Sequence, residues 1–203
     1  MTIIAGSGGD TSKYPSVPIG VHKARCVRII DLGTQKNEYQ GQISWKRQVL
    51  IIWEVPEELD SKNEPMTISK WYTLSLHDKS TLGGDLTSWR GRAFTETEKQ
   101  GFDITKLSGV ACNLNVVEGK TGKPKISSVM PLSKKDTIAE QFHPTLVFSL
   151  DDFQSGKKET FNQISEGIRN IILRSKELEG MNQDLGDENN GSDMKVGESE
   201  VPF

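Results

Sequence analysis

Between positions 43 and 55 the chain alternates with a period of two. Ile43, Trp45, Arg47, Val49, Ile51, Trp53 and Val55 share one parity, and Ser44, Lys46 and Gln48 begin the other. Successive Cβ atoms of an extended chain point to opposite faces, so this run predicts a β-strand with one largely apolar face and one that begins polar. Pro56, which has no N–H to give a ladder, is expected to end it. A strand of this length cannot stand alone, and the search for its neighbours organises the rest of the chain.

Residues 21–30 are rich in β-branched side chains and predict a strand. Residues 31–41, polar and bounded by Gly33 and Gly41, read as a loop. Residues 66–75 alternate Met66, Ile68, Tyr72 and Leu74 against Thr67, Ser69, Trp71 and Thr73, a third strand. Leu82, Leu86 and Trp89 then recur at helical spacing, although Gly83 and Gly84 each cost a helix about 1 kcal/mol relative to alanine. Thr95-Glu-Thr-Glu-Lys is a cap-like start for a second helical turn. Residues 111–117 and 125–130 are strands joined by the hairpin loop Glu118-Gly-Lys-Thr-Gly-Lys. The order strand, strand, strand, helix, strand, strand predicts a mainly β protein. Specifically, it predicts a five-stranded OB-fold barrel with a helical insertion between the third and fourth strands. Beyond it, residues 145–150 are apolar. Phe161, Ile164, Ile168, Ile171 and Ile172 mark one face of a C-terminal helix, read as core or dimer packing, which leaves a homo-oligomer open.

The ends differ from this body. Residues 1–18 are glycine- and proline-containing and lack periodicity, which predicts a flexible arm. Residues 19–135 form the expected barrel domain, residues 136–176 an extension bearing the helix, and residues 177–203 an acidic tail. In that tail eight carboxylates face Lys195 alone, ahead of an apolar tip, Val201-Pro202-Phe203. Glycine and asparagine spacing leaves it little to bury, so disorder is its expected state. Charge divides the same way: 19 Lys+Arg against 14 Asp+Glu up to Lys135, and 6 against 14 from Asp136 onward. The body is basic and the tail acidic.

Catalysis finds no constellation. His22, His77 and His143 are scattered, and no HExxH, GxSxG, phosphate-loop or zinc-ligand spacing is present. The expectation is a non-enzyme with neither cofactor nor metal. Cys26 and Cys112 lie in apolar strand-like runs and are expected as buried free thiols. No run of 18 apolar residues and no signal-peptide pattern occurs, so a soluble cytoplasmic protein without membrane attachment is expected.

Single-stranded nucleic acid is held by cationic grooves that follow phosphates and by aromatic rings on which bases stack. Here the two residue types interleave. Trp45, Lys46 and Arg47 lie on the second strand, and Lys70, Trp71 and Tyr72 on the third. Arg90 and Arg92 follow the helix, and Lys120 and Lys123 sit at the tip of the last hairpin. These ten are the candidate DNA-binding residues. Trp53 and Trp89 keep apolar company and are expected in the core. Trp71, between serine and threonine, has outward stacking and simple surface exposure as equal readings. An adaptor barrel that binds protein, and a barrel that binds RNA, stand as alternatives.

The barrel order, the aromatic and basic strands and the ending Glu198-Ser-Glu-Val-Pro-Phe203 resemble single-stranded DNA-binding proteins, whose bacterial members end in a similar acidic Pro-Phe tail. The stretches Leu76-His-Asp-Lys-Ser-Thr-Leu, Asp85-Leu-Thr-Ser-Trp-Arg-Gly-Arg-Ala-Phe-Thr and Phe102-Asp-Ile-Thr-Lys-Leu are similar to divergent members encoded by phages and mobile elements. The resemblance covers residues 18–132 and the tip. It implies sequence-independent protection of single-stranded DNA during replication and recombination. It also implies that Val201, Pro202 and Phe203 dock on replication, recombination or repair proteins. The long helical insertion and the C-terminal helix depart from the bacterial pattern, so tetrameric assembly does not carry over.

Overall fold

In the computed structural model, which describes residues 16–179, the first strand, β1 (Gly20–Tyr39), runs well past the predicted boundary and turns directly into β2 (Gln42–Leu59). The polar loop expected over residues 31–41 is instead an antiparallel ribbon in which Gly33 to Tyr39 pair with Gln42 to Gln48. Only Gln40 and Gly41 form the turn, with φ of 50° and 74°, the positive pair that a two-residue hairpin requires. The ribbon is largely exposed, so its ladder forms without the apolar alternation that would have announced it. Pro56 does not end β2 either. The pairing with β3 (Pro65–Thr73) lapses between Val55 and Leu59, and a residue lacking an N–H is tolerated in such an interruption.

Helices α1 (Thr81–Arg90), capped by Ser80, and α2 (Glu96–Gln100), opened by a capping box of Thr95 and Glu98, both lie near the places where the sequence predicts helix. A 3₁₀ turn, Ile104–Leu107, leads into β4 (Ala111–Glu118), which pairs with β5 (Pro124–Pro131). β4 also takes the edge of β1 between Gly20 and Arg25. β2 begins its pairing on the other edge at Arg25, and a register shift follows between Cys26 and Arg28. β1 therefore serves β4 with its first part and β2 with the remainder. A short β6 (Leu146–Phe148) lies parallel to Arg28, Ile29 and Ile30, where β4 has already left. The result is a mainly β, mostly antiparallel sheet of order β3-β2-β1-β4-β5, with β6 on β1 and few helices. Among the described residues no helix is long and apolar enough to cross a membrane.

Two cores form on opposite sides of β2. Val49, Ile51, Trp53 and Val55 face the first, with Cys26, Leu114, Val129 and the α1 residues Leu82, Leu86 and Trp89. Trp53 is fully buried, 6.0 Å from the Trp89 ring, and Trp89 Nε1 donates to the Ala111 carbonyl at 3.0 Å. Both tryptophans are thus core residues, as their apolar company predicts. Cys26 and Cys112 are free and buried here, and burial pushes the Cys26 thiol up to about 12.

The second core joins Leu50 of β2 and Ile30 and Leu32 of β1 to Phe148, Phe153, Ile164, Ile172 and Leu178. β2 is thus apolar on both faces through its middle, where one apolar face was expected. The single C-terminal helix expected over residues 161–172 is broken. It becomes α4 (Glu159–Asn162) and α5 (Glu166–Leu173), preceded by α3 (Leu150–Gln154). Its apolar stripe packs inward against the sheet. The tail boundary drawn at Glu177 also moves. Lys176–Leu178 is a 3₁₀ turn with Leu178 buried, and Glu177 accepts from the Thr34 N–H at 2.8 Å and hydroxyl at 2.6 Å. Gly33 allows that approach, since a Cβ there would stand 2.5 Å from Ser175 Cβ. Val201, Pro202 and Phe203, and all but the end of the N-terminal arm, lie outside the described residues.

One carboxylate lies inside. Glu54, fully buried, accepts from the N–H groups of Phe142 (3.1 Å) and His143 (2.6 Å) and stands 2.7 Å from His143 Nδ1. It fastens the connection before β6 to the sheet, which satisfies the requirement that a buried charge be paired.

Candidate nucleic-acid interface

The third strand separates its own residues by parity. Trp71 pairs with Leu50, Ser69 with Ile52 and Thr73 with Gln48, so Ser69, Trp71 and Thr73 project from the sheet face opposite the first core, beside the stretch of β2 that the second core covers. Trp71 is 45% exposed. Lys46, exposed, shares the parity of Gln48 and Leu50 and reaches the same face. Beyond β3 the chain folds back into the α1 cap. Ser80 Oγ donates to the Ser75 carbonyl at 2.6 Å and accepts from the Gly83 N–H at 3.0 Å, while His77 Nδ1 accepts from the Lys79 N–H at 3.2 Å. Gly83 is required by this packing, because a Cβ there would lie 2.8 Å from Ser80 Oγ and 3.1 Å from the His77 carbonyl.

Between the strand and this cap lies an open groove of about 450 Å³, lined among others by Lys46, Trp71, Thr73, Ser75, His77 and Lys79. It combines an exposed indole, two ammonium groups and several hydroxyls. Such a set can stack a base and hold the phosphates beside it. His77 and Lys79 were not among the sequence candidates. Their signal was position, within the Leu76-to-Leu82 stretch that carries the resemblance and just before a helix-capping serine.

Of the other candidates Tyr72 also borders this groove, and the rest do not share it. Lys70 and Tyr72 point to the opposite face of β3, where Lys70 Nζ (2.6 Å) and the Tyr72 hydroxyl (2.7 Å) both donate to Asp85 on α1. Burial and the adjacent Asp85 carboxylate raise the Tyr72 phenol, so it stays a neutral donor that ties strand to helix. The Arg90 guanidinium lies 4.1 Å from the Phe94 ring centroid and 5.0 Å from that of Phe102, and pairs with Glu98. Arg92, well exposed, binds the same carboxylate at 2.8 and 3.1 Å. Lys120 and Lys123 are exposed at the β4–β5 tip. Trp45 and Arg47 sit on the β1–β2 ribbon with parity opposite to Lys46, and Arg47 is held by Asp31 at 2.5 Å. That hydrogen bond raises the Arg47 guanidinium further and offsets its charge.

The Arg90–Glu98–Arg92 knot carries a pH signature. Hydrogen bonds from Arg92, then from the Thr95 N–H and Arg90, hold Glu98 at about 2, below its ordinary 4.5. A depressed carboxyl stabilises the folded state above its unfolded pKa, and that contribution disappears as pH falls through the folded value. Carboxyl chemical shifts followed by NMR are expected to show Glu98 ionised down to about pH 2 and the knot lost below it. Titration of Glu98 near 4.5 would show that the two arginines do not hold it in solution.

Among the described residues no group of three or more His, Cys, Asp or Glu side chains is placed to hold a metal ion. Comparison with protein-family models and with curated proteins finds no match for this chain.

Proposed function

We propose that this chain is a non-enzymatic, sequence-independent single-stranded DNA-binding protein. The observation that carries the reading is the groove that exposed Trp71 lines together with Lys46 and Lys79. The β3-β2-β1-β4-β5 order, with β3 approaching β5 and α1 inserted between β3 and β4, supports an OB-type barrel. Proteins of that architecture bind oligonucleotides across the second and third strands. The reading places the protein in the host cytoplasm during replication or recombination of a phage or mobile element. Its acidic C-terminal segment, ending Val201-Pro202-Phe203, recruits replication, recombination or repair proteins. Burying one phenylalanine side chain contributes about 1.5 to 3 kcal/mol to such docking.

Titration with oligo(dT) tests the reading. Stacking on Trp71 is expected to quench tryptophan emission, and log affinity is expected to fall against log salt with a slope of about −0.7 for each neutralised phosphate. Competition with RNA and duplex DNA of the same length completes the test. Equal affinity for RNA would move the protein to the RNA-binding class, and the absence of any quench at low salt would remove the nucleic-acid reading.

A further inference from the structure

β3 leaves β2 at Gln48, and the Leu74 N–H closes that corner on the Arg47 carbonyl at 2.8 Å. From Gln42 to Lys46 the far edge of β2 carries no third strand among the described residues, so the β1–β2 ribbon projects past the groove with an open side. Lys46 and Trp45 are consecutive on this projection and face opposite sides of it. Lys46 belongs to the groove. Trp45, 41% exposed, begins a second surface.

That surface is assembled from distant parts of the chain. Trp45 is the register partner of the exposed Lys36 on β1, and Arg47 lies next on the same face beside Thr34. Glu177 grips Thr34 through both its N–H and its hydroxyl. This grip and the burial of Ser175 and Leu178 hold the 3₁₀ turn against the ribbon and set Lys176 Nζ 5.8 Å from the Trp45 ring centroid. At that distance the ammonium stands near the outer limit of cation–π attraction, so the ring can exchange it for a stronger stacking partner. The nearby carboxylates Glu177 and Asp31 are engaged by Thr34 and Arg47, and Glu38 lies toward the ribbon tip opposite Ile43.

We propose that Trp45, Lys36 and Lys176 form a second nucleotide subsite, completed by the C-terminal extension, onto which single-stranded DNA passes from the Trp71 groove over the open edge of β2. A base takes the Trp45 ring, and Lys176 turns from the ring to the adjoining phosphate. This rests on the DNA-binding reading of the groove and extends it to a longer contact. From Trp45 to Leu50, the partner of Trp71, β2 spans about 17 Å at the rise of an extended strand.

Full-length protein with Trp45→Ala, Lys176→Ala or Trp71→Ala, titrated with oligo(dT) about 5 and about 20 nucleotides long, tests the subsite. With the long oligomer, Trp45→Ala and Lys176→Ala are each expected to weaken binding by about 5- to 10-fold, and with the short one to change little. Lys176→Ala should also reduce the salt slope by about 0.7, while Trp45→Ala leaves it unchanged. Wild-type affinity of both variants for the long oligomer overturns the subsite. The same result with a lower oligomer mass for Trp45→Ala would assign the ribbon to contact between copies of the chain, and also overturns it. The underlying reading fails separately: wild-type protein would then bind neither length, or Trp71→Ala would bind both normally.

Discussion

Trp71→Ala is expected to weaken binding of oligo(dT) by about 5- to 150-fold, the loss of one base–aromatic stack worth about 1 to 3 kcal/mol. Trp71 projects from the face of β3 opposite the first core, between Ser69 and Thr73, while the strand is fixed from its other face by Lys70 and Tyr72 on Asp85. Removing the indole therefore leaves the fastening of β3 to α1 in place. The unfolding midpoint in urea is expected to move by no more than about 1 kcal/mol equivalent. The salt slope separates stacking from charge. It should be unchanged in Trp71→Ala and shallower by about 0.7 in either Lys46→Ala or Lys79→Ala, each of which removes one phosphate contact. A Trp71→Phe variant should recover part of the affinity, because a smaller ring still stacks. If Trp71→Ala binds as wild type, bases do not stack in the groove and the reading that rests on it fails.

The largest effect on stability is expected at Glu54. Glu54→Ala should cost about 3 to 5 kcal/mol in urea denaturation, because it removes the common acceptor of the Phe142 and His143 N–H groups and of the His143 ring. The loss should begin locally. Glu54 holds the connection that leads into β6, so limited proteolysis should cut between residues 132 and 145 before the sheet unfolds. His143→Ala should cost less, since both backbone donors retain their acceptor. The double variant should cost less than the sum of the single ones, because the ring and the carboxylate interact with each other. A change below about 1 kcal/mol in Glu54→Ala would mean that this connection is not fastened to β2 in solution.

Several elements were legible without coordinates because their causes are local. Val49, Ile51, Trp53 and Val55 alternate and are all buried together, and the Thr95 cap sits next to the helix it starts. The ribbon was not legible. Its two strands satisfy each other's backbone and their cover comes from the distant C-terminal extension, so nothing in residues 34–39 distinguishes a strand from a loop. The second core was hidden for a different reason. Leu50 reads as an interruption of a polar parity until Phe148, Phe153 and Leu178, about a hundred residues or more later, arrive to cover it. The broken helix followed the same logic: Ser165 starts α5 afresh, while Ile164 and Ile172 keep the apolar stripe facing one core.

At the candidate site the division is sharper. Chain order alone requires that Trp71 and Tyr72 face opposite ways, that Trp53 and Trp89 belong with apolar neighbours, and that cations and aromatics recur along the second and third strands. Those are consequences of side-chain periodicity, which each strand or helix carries alone. Which cations remain available depends on contacts between distant segments. Lys70 is bound by Asp85, Arg47 by Asp31, and Arg90 with Arg92 by Glu98. Lys46 and Lys79 line the groove, and Lys176 is brought from the far end of the fold to the Trp45 ring. A charge is neutralised by whatever lies within a few ångströms, and in a sheet whose neighbours are set by long-range pairing, that partner cannot be read from spacing along the chain.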